Sequence, residues 1–447
     1  MRLLAFLLLT LAATHAALAD GYRRFEGHGG PIRGLSISPD GRHALTASFD
    51  NSIGYWSLAQ DGGDAVWLDG HEAAANVVLF LPDQALALSA GDDFDLILWS
   101  LDRRTVLAKL EGHEGKVLDL AVTADGTLAA SAGWDGSVGL WNLETRTLVA
   151  MLAGHRAPVQ AVRFSADGAY LYSAGSDGHV RRWVVADRVS DRVEVSHGFG
   201  INRLVLDDAA GWLAYGALDG GVRIIDIETG AEIADVTSGR RPVLALVLSA
   251  DRKRLAIGDG EGFIHVVDTA TWRTIRDFRA VPRGPVWALA FDPDARHVMA
   301  GTIRDHADYW PIDGVVSVSE SQAPLRSFQR DPATMTNGER QFMRKCSICH
   351  ALGETSGRKA GPTLHRIFGR RAGTLETYRY SDALRGADLV WDETSLDTLF
   401  DIGPDHYTPG SKMPMQRIVK REDRRDLIDY LRTATRGTGP QEAEKTE

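Results

Sequence analysis

Cysteine is scarce in this chain: 447 residues contain only Cys346 and Cys349. Two thiols exclude a disulfide-stapled scaffold and an all-thiolate zinc site. Long apolar runs are scarce too. The stretch Leu3 to Ala13 covers 11 residues, short of the roughly 18 to 20 that a membrane span needs. Positive charge is also in deficit, at 50 Lys+Arg against 60 Asp+Glu, which argues against a nucleic-acid surface. What remains, 44% hydrophobic and 25% charged residues with 46 glycines, is an ordinary globular composition.

The N-terminal stretch has a different meaning. Arg2, the short apolar run and then Ala17-Leu18-Ala19 form the pattern of a secretory signal over residues 1–19, cleaved after Ala19. A periplasmic mature chain without a membrane span is the expectation. Arg23-Arg24 follow the apolar run, so they do not form a twin-arginine signal. Charge divides the mature chain unevenly, with a net of −13 over residues 20–328 and +2 from Gln329 onward. Attraction between the two parts, or toward a basic partner, follows from that asymmetry.

An internal repeat organises the first part. Gly-His pairs stand at Gly27-His28, Gly70-His71, Gly112-His113 and Gly154-His155, and Ser196-His197 keeps the histidine. In phase with them run Trp56, Trp99, Trp141, Trp183, Ile225, Val267 and Trp310, spaced by 42 or 43 residues. Six positions before these markers are Asp50, Asp93, Asp135, Asp177, Asp219 and Glu261, while Arg304 breaks the series beside Asp305. Short β-type runs alternate with turns such as Ser38-Pro39-Asp40-Gly41 inside each unit. Three or four strands per unit of this length describe a propeller blade.

The Gly-His opening, the Asp six before the Trp and the period make residues 22 to 320 resemble the WD-repeat family, with seven blades. The resemblance implies that His, Asp and Trp form a hydrogen-bonded structural set inside each blade. The histidines are therefore not a metal array, because blades around a ring hold equivalent residues far apart. Apolar Ile225 and Val267 are expected to fill the space left by the missing tryptophans. Tyr22 to Glu26 is expected to be an outer strand that pairs near Trp310 and closes the ring. The repeats contain no Ser-His-Asp spacing, metal cluster or phosphate loop.

Chemistry is concentrated after residue 332. Cys346-Ser347-Ile348-Cys349-His350 has the Cys-x-x-Cys-His pattern of c-type haem attachment. A zinc site would need further ligands, and a thioredoxin-like pair would need a βαβ setting. Thr336 and Glu339 form a capping-box pattern ahead of the first cysteine. Downstream come Gly361-Pro362-Thr363-Leu364-His365, Phe368-Gly369-Arg370, Tyr380-Ser381-Asp382, Trp391, Pro409-Gly410-Ser411-Lys412-Met413 and an amphipathic helix through Leu427, Ile428, Tyr430 and Leu431.

In that order these motifs make residues 334 to 436 resemble mitochondrial-type cytochrome c. The resemblance implies one haem c held by thioethers to Cys346 and Cys349, with His350 and Met413 as the two axial iron ligands. It also implies a Pro362 carbonyl orienting His350, haem-propionate contacts from Arg370, Tyr380 and Trp391, and a similar place for Ser411. Gly338 and Phe342 should meet Tyr430 where the terminal helices cross. Met415 is the competing thioether to Met413, and His365 and His406 read as surface residues. The family's docking lysines are thinned, with Asp405 and His406 between Pro404 and Pro409, leaving Lys345, Lys412, Lys420 and Arg421. A family tyrosine near the ligand sulfur aligns with Leu399.

The expected architecture is a multidomain chain, an all-β seven-bladed propeller followed by an all-α cytochrome c fold. Its parts are a signal (1–19), propeller (20–318), linker (319–333), cytochrome domain (334–436) and polar tail (437–447). The leading functional reading is a one-electron carrier, not an enzyme, whose propeller docks a redox partner or the haem domain itself. Two alternatives stay open: a redox enzyme with a second cofactor on the propeller, and a non-redox assembly scaffold.

Overall fold

A computed structural model describes residues 22–59, 64–313, 332–354, 358–411, 413 and 416–436. The signal segment, linker residues 319–331, the tail, Lys412 and Met415 lie outside the described residues. Seven four-stranded antiparallel sheets fill residues 23 to 311. The first blade runs β2 (Ile32–Ile37), β3 (His43–Ser48), β4 (Ser52–Ser57) and β5 (Val66–Asp69). The same order repeats in β6 to β9 (75–110), β10 to β13 (117–153), β14 to β17 (159–196), β18 to β21 (201–235) and β22 to β25 (243–279). The seventh blade has β26 to β28 (286–311) and takes its fourth strand from the other end of the described chain: β1 (Arg23–Glu26) pairs antiparallel with β28 (His306–Pro311), Arg23 opposite Tyr309 and Glu26 opposite His306. The ring closes as its sequence predicts.

Turn chemistry fixes the hairpins between the first two strands of a blade. Asp40 accepts from the Ser38 hydroxyl at 2.6 Å and from the Arg42 amide at 3.0 Å. Gly41 there has φ +71°, a left-handed conformation that glycine adopts without a Cβ clash. Thr123-Asp125-Gly126 and Ser165-Asp167-Gly168 repeat the arrangement.

The histidine set has four members. In blade 1, His28 Nδ1 lies 2.9 Å from Asp50, its Nε2 lies 2.6 Å from the Thr46 hydroxyl, and Trp56 Nε1 donates to that hydroxyl at 2.8 Å. Ser89, Ser131 and Ser173 take the Thr46 position in blades 2 to 4. Since Trp Nε1 only donates, the hydroxyl accepts from it and can donate onward to an unprotonated imidazole Nε2. Burial alone would raise the Asp50 carboxyl, but His28 and hydrogen bonds from Ser52 and the Gly29 amide hold it below the usual range.

Later blades depart from the set. In blade 5 the His197 ring meets Asp219 through Nε2 and the Tyr215 hydroxyl through Nδ1. In blade 6, Asp259 instead of Glu261 organises the turn, accepting from the Glu261 and Phe263 amides, and Arg240 bridges it to Asp277.

Each marker side chain packs on the preceding blade. Trp99 joins Leu45, Ile53 and Leu68, and Trp141 joins Leu88, Leu98 and Leu110. Ile225 packs with Tyr172 and Val195, and Val267 with Trp212 and Ile224, so the apolar replacements do fill the inter-blade core. Trp56 meets Phe25, Met299 and Tyr309 and thereby seals first blade to last. Truncating a buried aromatic of this kind costs about 3–5 kcal/mol.

After a 3-10 turn at Pro332–Thr334 the second domain is helical: α1 (Asn337–Lys345), α2 (Asp382–Arg385), α3 (Glu393–Ile402), α4 (Pro404–Tyr407) and α5 (Arg421–Ala434). Thr336 caps α1 by accepting from the Glu339 amide. Asp392 and Ser395 form a reciprocal capping box on α3. Helices α1 and α5 cross at Gly338, where a Cβ would collide with the Asp426 carbonyl and lie 2.8 Å from Tyr430 Cβ. Phe342 and Tyr430 rings meet beside it, 5.8 Å apart. None of the described helices is long and apolar enough to cross a membrane.

Candidate cofactor site

The Cys-x-x-Cys-His segment begins where α1 stops. Cys346 and Ser347 amides both donate to the Phe342 carbonyl, and the Cys349 and His350 amides both donate to the Cys346 carbonyl at 3.0 and 2.8 Å. This tight wrap turns both sulfurs and the imidazole toward one space. His350 Nδ1 lies 2.8 Å from the Pro362 carbonyl. A carbonyl only accepts, so Nδ1 carries the hydrogen and the neutral ring leaves the Nε2 lone pair free. Gly361 permits the approach, since a Cβ there would come within 2.5 Å of the ring.

One cavity of about 410 Å³ collects all nine expected residues: Cys346, Cys349, His350, Pro362, Arg370, Tyr380, Trp391, Ser411 and Met413. Leu396, Leu399 and Phe400 of α3 add an apolar wall. His365 and His406 do not line it. Burial keeps the site neutral. It lowers the His350 imidazole, helped by the charges of Lys359 and Arg370, and it pushes the Cys346 thiol up to about 12 and the Cys349 thiol upward.

The polar rim is held from behind. Arg370 donates to the carbonyls of His365 at 2.9 Å and Thr363 at 2.8 Å. Burial lowers its guanidinium, while Tyr380 opposes the shift. Backbone bonds join Gly369 to Trp391 and Trp391 to Arg370, and Thr408 donates to the Ser411 hydroxyl at 3.2 Å. Two further polar side chains, of Tyr378 and of Ser381 in the Tyr-Ser-Asp motif, also line the cavity. Tyr378 stacks edge-on with Tyr380 at 4.8 Å and donates to the Ala360 carbonyl. Ser381 presents a buried Oγ with no hydrogen-bond partner among the described residues.

The propeller reaches the same cavity. Phe49, Asn51, Ala74, Asp92 and Lys116 are among its lining residues. Arg358 pairs with Asp69 and lies 5.0 Å above the Trp67 ring. Gly29 is what admits the Arg358 carbonyl, because a Cβ there would occupy the same space.

Comparison with known proteins agrees with this division. The model of the WD domain, G-beta repeat family matches residues 21–57, 104–142 and 146–183, and that of the cytochrome c family matches residues 335–435. Cytochrome c of Sesamum indicum is 38% identical over 109 residues, covering 24% of this chain and 96% of that protein. Those of Stellaria longipes and Gibberella zeae are 41% and 39% identical over 101 residues each, covering 22% of this chain and 91% and 92% of theirs. Through its C-terminal domain the chain belongs to the cytochrome c family.

As a cytochrome c the domain binds one haem c covalently, and haem-based electron transfer is its chemistry. The residues present fit the group: two thiols and an oriented imidazole face one apolar cavity whose rim holds an unpartnered buried hydroxyl and a guanidinium. The WD-repeat propeller joined to this cytochrome c is a docking scaffold, and its cavity-lining residues reach the cytochrome domain itself.

Proposed function

We propose that the chain is a periplasmic electron carrier, exported by residues 1–19, with His350 and Met413 as the axial ligands of its haem iron. The observation that carries the reading is the convergence of both side chains, with both thiols, on a single cavity in which Pro362 fixes the imidazole. The bound haem supplies reversible one-electron exchange. Cys346 and Cys349 tether it through thioether bonds, and the apolar wall of α3 excludes water. Arg370, Tyr380, Trp391 and Ser411 stand where polar contact with its propionates is expected. Two protein ligands leave the iron no open position, and a His/Met pair raises the reduction potential.

The test is a spectrum and redox titration of the purified protein with its Met413→Ala variant. A haem c spectrum is expected, with a far-red ferric band that the variant loses as its potential falls. Absence of haem, or a band that survives the substitution, overturns the ligand assignment. Sequencing the mature N-terminus should give Asp20 in a periplasmic fraction; an intact Met1 overturns the export reading.

A further inference from the structure

The innermost strands β2, β6, β10, β14, β18, β22 and β26 contact one another in a closed ring around the propeller axis. Three arginines and one aspartate on this ring form a cluster with too few carboxylates. Arg33 stands on β2, Asp119 on β10, Arg163 on β14 and Arg203 on β18. Asp119 Oδ2 is already engaged by Arg163 Nη1 at 2.6 Å and the Val162 amide at 3.1 Å. Among the described residues Arg203 Nη1 donates only to the Asn202 carbonyl, at 2.7 Å.

Arg33 lies over the Trp287 ring at 5.4 Å and has no hydrogen-bond or ion-pair partner among the described residues. The carboxylate whose charge it feels, Asp92, is engaged by Lys116 and by Asn76 Nδ2. Arg203 feels the charges of Asp119, Arg33 and Arg163 together, and burial with the two like charges lowers its guanidinium to about 10. All three arginines stand on innermost strands, which together ring the central channel, and the charge of Arg33 reaches Arg203 although β2 and β18 belong to non-adjacent blades, so they converge on that channel.

Three half-buried guanidinium groups that share one carboxylate repel one another with little to offset them, and here they sit inside a propeller whose overall charge is strongly negative. Guanidinium forks match tetrahedral oxyanions in geometry as well as charge. We propose that the central channel of the propeller binds a small polyvalent oxyanion of the phosphate or sulfate type between Arg33, Arg163 and Arg203. This oxyanion site does not rest on the haem assignment, although Asp92, whose charge Arg33 feels, also lines the haem cavity.

The experiment titrates inorganic phosphate, and separately sulfate, into the haem-loaded full chain by calorimetry at fixed ionic strength, with chloride as the control. Saturable binding of one anion per chain is expected. Arg33→Gln and Arg203→Gln should each weaken it roughly tenfold or more, as expected for losing a hydrogen bond to a charged group. Arg252→Gln, outside the cluster, should leave it unchanged. Absence of saturable binding by the wild-type chain overturns the proposal even if the variants fail to fold. So does binding that survives both substitutions, which would mark non-specific association.

Discussion

Arg24 and Asp308 are 284 positions apart in sequence, yet the guanidinium Nε lies 2.9 Å from the carboxylate. The Tyr22 hydroxyl donates to the same oxygen at 2.6 Å. Asp308 is 1% exposed, so both bonds are made where water competes little, and they reinforce the ladder that closes the ring.

Replacing Asp308 with alanine should therefore loosen the closure and not merely remove a surface charge. With Arg24 partly exposed, the expected loss is about 2–3 kcal/mol. Urea unfolding followed by far-ultraviolet circular dichroism should show a lower midpoint. Deleting residues 20–26 should lower it further; an unchanged midpoint for the deletion would mean that the strand does not fasten the ring.

Blade 7 offers the opposite experiment. Trp310 Nε1 is buried without a partner among the described residues, and Ala300 stands ten positions earlier, where Thr46 and Ser89, Ser131 and Ser173 accept from the tryptophans of blades 1 to 4. Ala300→Ser supplies the missing acceptor. A gain of about 1 kcal/mol in thermal or urea stability is expected. A loss would show that the site is too tightly packed for the hydroxyl.

Acid should weaken the propeller through His306. Burial, with the charges of Arg24 and Arg304, lowers its pKa to about 4 against the pull of Asp308 and Glu26, whereas an unfolded histidine titrates near 6.5. The unfolded chain thus binds the proton first, so this contribution falls as pH drops from about 6.5 to 4, by up to roughly 3 kcal/mol. His155 and His265 are lowered in the same direction by burial. His306→Gln should flatten part of the stability profile in that window. Carboxyls such as Asp50, held low in the fold, act only at more acid pH. An unaltered profile would show that His306 protonates without cost in the fold.

Most of the fold could be read from residues that recur. The Gly-His pairs and Trp markers announce seven blades, and Tyr22 to Glu26 announces the closing strand, because each depends on local sequence repeated in phase. The hydroxyl at Thr46, Ser89, Ser131 and Ser173 was equally periodic, 18 residues after the histidine and ten before the tryptophan, but small polar residues are too common to stand out. The substitution of Asp259 and Arg240 in blade 6 was hidden for another reason: it joins residues whose relation exists only after the strands pair. In the second domain the cofactor residues, with Ser381 among them, could be read as motifs, whereas Tyr378 joins the cavity through folding alone. Arg358 on Trp67 depends on the placement of one domain against the other, which no local pattern encodes.

The closing strand also sets an order of assembly. β1 emerges first but has no partner until β28 has been made. The intervening 284 positions must follow it before the ring can close. Only a few tens of residues then separate the completed ring from Cys346. The propeller becomes able to close just as the segment that holds the haem appears, so its face can be ready to receive that segment as it matures.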